Sequence, residues 1–239
     1  MRDCLVLLPG WGFAPVVLEP LAEALAAQAP DLEVRLEPLP ASSATEGWLD
    51  ALDHSVPAGA WLGGWSLGGM LAARLAARRG ADCPGLVGLA ANACFRARPE
   101  WPAAMPAEAF DTFCEAFGLD AGETLKRFSL LCARGGYDPR TLARQLQVIQ
   151  REPVAEGLAA GLVLLAELDN RTVLREVDGA QLHLFGERDA LVPAAAAEAL
   201  AGWLPQAEVH VLAGASHAFP LERVEDAAAA ILAFLERAR

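Results

Sequence analysis

Residues 64–68 read Gly-Trp-Ser-Leu-Gly, a serine set between small residues at the spacing G-x-S-x-G. A serine hydroxyl is a weak nucleophile at neutral pH. It attacks a carbonyl only when an imidazole within hydrogen-bond reach takes its proton, and a carboxylate must orient that imidazole. The chemistry on offer is acyl transfer through a covalent acyl-serine. The alternative for the same pentapeptide is a glycine-rich turn whose serine caps a helix or fills space.

Four histidines are available as the base. His183 and His210 fall inside expected strands, where a packed or surface imidazole is the simpler reading. His54 precedes the serine, against the chain order Ser, Asp/Glu, His of a nucleophile-elbow enzyme. That leaves His217, in Gly214-Ala215-Ser216-His217 just after the last expected strand; its alternative is a solvent-exposed loop residue. Phe185-Gly186-Glu187-Arg188-Asp189 offers two carboxylates past a strand end. Asp189 is the candidate orienting acid, with an Asx-turn or helix-capping role as its alternative. Glu187 reads as a solvated turn residue.

Negative charge developing on a tetrahedral intermediate needs two backbone N–H donors. Leu67, directly after the serine, gives the first. In Leu8-Pro9-Gly10-Trp11-Gly12, Pro9 has no N–H to offer, so Trp11 is the candidate for the second. Its indole can also serve as a pocket wall.

These residues do chemistry only if a scaffold brings them together. Leu5–Leu8 reads as a buried strand broken by Pro9-Gly10, followed by a helix over Pro15–Gln28. Strands are expected at Leu32–Leu39, Ala60–Gly63, Leu86–Ala91, Gln181–Phe185 and Glu208–Leu212. Helices are expected at Thr45–His54, Leu67–Arg79, Ala194–Leu204 and Val224–Arg237. This alternation predicts an α/β fold, a mostly parallel doubly wound sheet with helices on both faces. From Cys94 to about Val177 strand signals vanish and helices are expected at Phe110–Phe117, Glu123–Cys132, Pro139–Arg151 and Gly157–Leu165. Residues 94–178 therefore read as an inserted helical cap, and 1–93 with 179–239 as the core.

Leu5–Gly12, Trp61–Met70, Cys94–Pro102, Phe185–Pro193 and Gly214–Phe219 together resemble an α/β-hydrolase. Specifically, "WLGGWSLGG", "ANACFRARPEWP" and the stretch around "KRFSLLCARGG" are similar to the pimeloyl-[acyl-carrier protein] methyl ester esterases, the BioH family of the biotin pathway. The resemblance implies Ser66 as nucleophile, Asp189 as orienting acid and His217 as base. It implies hydrolysis of the methyl ester at the far end of a pimeloyl chain held by an acyl-carrier protein, releasing methanol, with neither metal nor organic cofactor. Trp11, Ser66, Leu67 and His217, with Phe128, Ser129, Leu130, Leu131 and Cys132 of the cap, are the implied substrate contacts. Arg127, Arg140 and Arg144 match cap arginines that meet the carrier protein. The usual His-Gly of the oxyanion loop is Pro9-Gly10 here, a departure that bears on the pocket mouth and the natural ester.

Charge is consistent with that partner. The chain carries −12 overall, which disfavours nucleic acid. Yet Glu123–Arg151 holds six basic residues (Lys126, Arg127, Arg134, Arg140, Arg144, Arg151) against two acidic ones, a local balance of +4. Such a patch on an acidic enzyme would orient an acidic partner; its alternative is the solvated face of cap helices. Five cysteines with no CxxC spacing indicate neither a disulfide framework nor a zinc site. Pro57 and five glycines argue against a membrane span over the uncharged stretch His54–Ala73. No signal peptide is visible, because Pro9 stops the first apolar run. A cytoplasmic monomer is the expectation. Two rivals share parts of this reading: a broad short-chain carboxylesterase with no carrier partner, and a catalytically silent hydrolase-fold binding module.

Overall fold

In a computed structural model, residues 3–150 and 155–238 are described. Six strands form one sheet: β1 (Asp3–Leu8), β2 (Leu32–Leu36), β3 (Trp61–Trp65), β4 (Gly85–Leu89), β5 (Ala180–Gly186) and β6 (Glu208–Leu212). The order is β2-β1-β3-β4-β5-β6 and every neighbouring pair is parallel. The fold is thus the expected doubly wound parallel sheet, and its central strands β1, β3, β4 and β5 are largely buried because helices cover both faces. Helices α1 (Glu19–Gln28) and α11 (Val224–Arg237) pack together, with Trp61 of β3 meeting Phe234 of α11 edge to face. Helix α2 (Trp48–Ser55) packs against α3 (Leu67–Arg79).

The direction in which successive strands are added reverses at β1: β2 lies on one side of it, β3 on the other. Such a switch point opens a crevice at the carboxyl ends of the two central strands. Leu8 pairs with Gly64 there, so the loop after β1 and the turn after β3 are neighbours.

Proline cuts short or splits two expected elements, while the helix expected over Thr45–His54 splits without one into a 3₁₀ turn (Thr45–Gly47) and α2. Strand β2 ends at Leu36 rather than Leu39: Glu37 still donates to Leu7, but Pro38 and Pro40 have no N–H to continue the ladder. The helix expected over Pro15–Gln28 splits into a 3₁₀ turn (Pro15–Leu18) and α1, with Pro20 in the first turn of α1, where a missing donor costs nothing.

Between β4 and β5 the described residues hold five helices and no strand: α4 (Ala107–Leu119), α5 (Ala121–Ala133), α6 (Pro139–Ile149), α7 (Ala155–Glu167) and α8 (Arg171–Arg175). Asp120 and Asp138 cap α5 and α6 by accepting from Glu123 and Thr141 N–H. Arg151, the expected end of the third of these helices, lies outside the described residues. After β5 come α9 (Ala195–Trp203) and, beyond β6, a single turn α10 (Phe219–Glu222). No described helix is long and apolar enough to cross a membrane.

Candidate active site

Ser66 sits between β3 and α3 at φ +55°, ψ −119°, a backbone state that side-chain-bearing residues rarely adopt. Its surroundings enforce it. A Cβ on Gly64 would lie 2.5 Å from the Gly68 carbonyl carbon, and one on Gly68 would overlap the carbonyl oxygens of Leu8 and Pro9. Only glycine at both positions lets α3 leave the strand this steeply. Ser66 caps nothing: α3 has no side-chain cap, and the hydroxyl makes no hydrogen bond among the described residues. The helix-capping alternative for this serine is therefore excluded.

His217 and Asp189 meet as an almost wholly buried pair, Nδ1 to Oδ2 at 2.7 Å with side chains 0% and 1% exposed. The exposed-loop alternative for His217 is overturned by that burial. The other oxygen of Asp189 accepts from the N–H groups of Leu191 (2.7 Å) and Val192 (2.8 Å). Asp189 is thus an Asx-type turn residue and a histidine partner at once. In the neutral ring a carboxylate partner puts the proton on Nδ1 and leaves Nε2 as the acceptor; Nε2 is buried and unpartnered among the described residues.

Strands β3 and β5 are separated by β4, about 10 Å at ordinary strand spacing, so the loop after β6 must fold back to bring His217 toward Ser66. Gly186 permits this, since any Cβ there would meet the carbonyl oxygens of Ala215 and Ser216. The Trp65 indole completes it by donating to the His217 carbonyl at 2.9 Å, with the two rings 5.5 Å apart. The residue next to Ser66 in sequence therefore holds the main chain of His217. Glu187 has a partner after all: it accepts from Gly214 N–H at 2.8 Å and ties the two loops together.

Leu67 is the first residue of α3 and Trp11 lies in the loop after β1; neither amide donates a hydrogen bond among the described residues. The Trp11 side chain is buried and fixed. Its indole donates to the Leu158 carbonyl at 2.8 Å, and its ring meets Phe113, Phe117 and Phe128 edge-on. Beside it lies a cavity of about 200 Å³ walled by Phe95, Phe110, Phe113, Phe128, Leu131 and Leu191 among others, with no charged side chain in its lining.

The five consecutive cap positions 128–132 do not share one face. Phe128 and Leu131 line the cavity. Ser129 is buried with its hydroxyl unpartnered among the described residues. Cys132 is buried near Asp189, and both burial and that carboxylate push its thiol well above the ordinary range. Leu130 points outward, 54% exposed, and lines a separate shallow groove with Arg127, Arg134 and Arg140. Lys126, Arg127, Arg134, Arg140 and Arg144 are all exposed on α5, α6 and the turn between them. Among the described residues no cluster of three His, Cys, Asp or Glu could hold a metal ion.

Sequence reasoning missed Trp65 as the anchor of His217, and it missed Phe95, Phe110 and Phe113 as cavity walls. Aromatic residues at helical spacing were the available signal for Phe110 and Phe113, whereas Phe95 lies in the loop after β4. Nothing local marks Trp65 as that anchor.

Comparison with known proteins agrees with this architecture. The model of the alpha/beta hydrolase family matches residues 5–231. The chain is 38% identical to the pimeloyl-[acyl-carrier protein] methyl ester esterase of Aromatoleum aromaticum, over 96% of this chain and 97% of that protein. It is 37% identical to the biotin biosynthesis bifunctional protein BioHC of Cellvibrio japonicus, over 98% of this chain but only 48% of that protein, so it spans about half the length of such bifunctional relatives. Among solved structures, the bromoperoxidase from Bacillus anthracis superposes with a TM-score of 0.84 at 18% identity, covering 99% of this chain and 92% of that one, a likeness of fold alone. The chain belongs to the alpha/beta hydrolase family and, within it, to the family of the pimeloyl-[acyl-carrier protein] methyl ester esterases.

Proposed function

We propose that this protein is a serine carboxylesterase that hydrolyses the methyl ester of a pimeloyl chain carried by an acyl-carrier protein, giving the free carboxylate and methanol in biotin synthesis. The observation that carries the reading is the buried His217 ring, whose Nδ1 is held by Asp189 while its Nε2 has no partner among the described residues. A buried imidazole nitrogen without a partner is costly, and a proton acceptor for a serine justifies that cost.

Ser66 Oγ attacks the ester carbonyl as His217 Nε2 takes its proton, and the Leu67 and Trp11 amides receive the oxyanion. Collapse of the tetrahedral intermediate breaks the bond to the methoxy oxygen, which leaves as methanol with the proton from His217. Water, deprotonated by the same nitrogen, then attacks the acyl-serine and releases the carboxylate. The apolar cavity beside Trp11 takes the methylene chain, and its lack of cations favours the uncharged ester over the ionised product.

In this reading residues 94–178 are a cap over a core of 1–93 and 179–239. Arg127, Arg140 and Arg144 on its outer face steer the acidic carrier protein. We place the enzyme, as a monomer, in the cytoplasm, where five free thiols persist.

The test is to supply purified protein with the methyl ester of the pimeloyl-carrier conjugate and follow the carrier by mass spectrometry. Demethylation with the thioester spared supports the proposal. Charge reversal at Arg140 and Arg144 should slow the carrier-bound substrate and spare free methyl pimelate. Equal rates on both substrates in both proteins would favour a broad esterase without a carrier.

A further inference from the structure

The turn between α5 and α6 lies against both loops that hold the candidate acid and base. At the end of α5 the Cys132 carbonyl accepts from Ala218 N–H at 3.1 Å. Gly135, at φ +95°, approaches the Arg188 main chain so closely that a Cβ would overlap the Arg188 carbonyl oxygen, and Gly136 is as close to the Glu222 carboxylate. Both oxygens of half-buried Glu222 accept from main-chain donors. Oε1 takes Ser216 N–H at 2.6 Å and Oε2 takes Tyr137 N–H at 3.3 Å.

The main chain around His217 is thereby fixed on three sides. Glu222 holds the N–H before it, the Trp65 indole holds its carbonyl, and Cys132 holds the N–H after it. Those three bonds set the Cα–Cβ direction of His217, and the Nδ1–Asp189 bond sets the turn of the ring, so together they aim Nε2. Two of them come from groups that also belong to, or bond, the α5–α6 segment whose outer side carries Arg134 and Arg140.

We propose that Glu222 is a positioning residue for His217, acting through its bond to the Ser216 N–H; the proposal rests on the esterase reading above. Its two bonds can be separated. Glutamine at 222 still offers one oxygen to Ser216 N–H, but its amide N–H₂ then faces Tyr137 N–H, donor against donor. Alanine removes both.

With a soluble p-nitrophenyl ester, Glu222→Ala should lower kcat about 10- to 100-fold, the cost of a misaimed base, with KM changed less than about threefold. Amide hydrogen exchange should speed at both Ser216 and Tyr137. Glu222→Gln should recover most of kcat and keep Ser216 protected, while Tyr137 exchanges faster. A folded Glu222→Ala protein with wild-type kcat would overturn the proposal. If that variant does not fold, Glu222→Gln decides: low kcat despite a protected Ser216 amide overturns it, and retained kcat with Ser216 protected supports it. Fluorophosphonate labelling of the wild-type protein separates the two levels. An unlabelled Ser66 ends the esterase reading itself, whereas a labelled wild type beside an unimpaired Glu222→Ala ends only the role of Glu222.

Discussion

Asp189 presents one carboxylate oxygen to His217 Nδ1 at 2.7 Å and gives the other to the amides of Leu191 and Val192. Asparagine at this position can satisfy the two amides only with its single oxygen. Its N–H₂ then faces Nδ1 and forces the ring proton onto Nε2, the nitrogen that must accept from Ser66. Asp189→Asn should leave the unfolding midpoint nearly unchanged and cut kcat by about 10⁴-fold. Steady-state kinetics with a soluble ester checks it; a loss below about tenfold would mean that the tautomer does not matter.

The elbow geometry makes a stability prediction with an internal control. Gly68→Ala pushes a methyl into the carbonyls of Leu8 and Pro9, backbone that cannot swing aside, and should destabilise by about 1–3 kcal/mol or more in urea. Gly202, in α9, faces open space: a Cβ there would meet nothing within 4 Å. Gly202→Ala should stabilise by up to about 1 kcal/mol. Equal effects at the two sites would contradict the packing described.

Much of this site was legible because its determinants are local. Gly64 and Gly68 flank Ser66 within one turn, and Pro9-Gly10 and Gly186 mark strand ends, so the sheet edge bearing Ser66, Asp189 and His217 followed from punctuation and chain order. The Trp65–His217 and Glu222–Ser216 bonds were not legible: the first joins residues 152 positions apart, and the second comes from a one-turn helix too short for any periodic signal. Leu130 shows a different failure. A run of five residues carried over from a resemblance ignores the helical period of 3.6, which sends position 130 away from the face shared by 128 and 131.

The aromatic cavity should set acyl length. Leu131→Trp adds bulk beside Phe113 and Phe128, where the methylene chain is proposed to lie. On a series of p-nitrophenyl esters, kcat/KM for acetate should change less than about threefold, while that for octanoate falls at least about tenfold. A uniform loss along the series would place the chain elsewhere.

His183 makes a pH prediction. It is buried on β5, and burial pushes its pKa down to about 4 from an ordinary value near 6.5. Between those values the unfolded chain binds a proton that the folded one refuses. Its contribution is therefore fully present above about pH 6.5 and is lost as pH falls toward 4, by on the order of 3 kcal/mol. Urea unfolding of wild type and His183→Leu across that window should show the wild type losing stability relative to the variant as the pH drops, because the variant lacks this loss. Parallel curves would contradict it.

The central claim is that His217 draws the proton from the Ser66 hydroxyl. The most direct measurement is the second-order rate of fluorophosphonate labelling, with the modified residue located by mass spectrometry, in the wild-type protein and in His217→Ala. The account predicts a single label on Ser66 in the wild type and a labelling rate lower by at least about 10³-fold in the variant. Labelling of Ser66 at the same rate without the imidazole, or no labelling of Ser66 in the wild type, would contradict it.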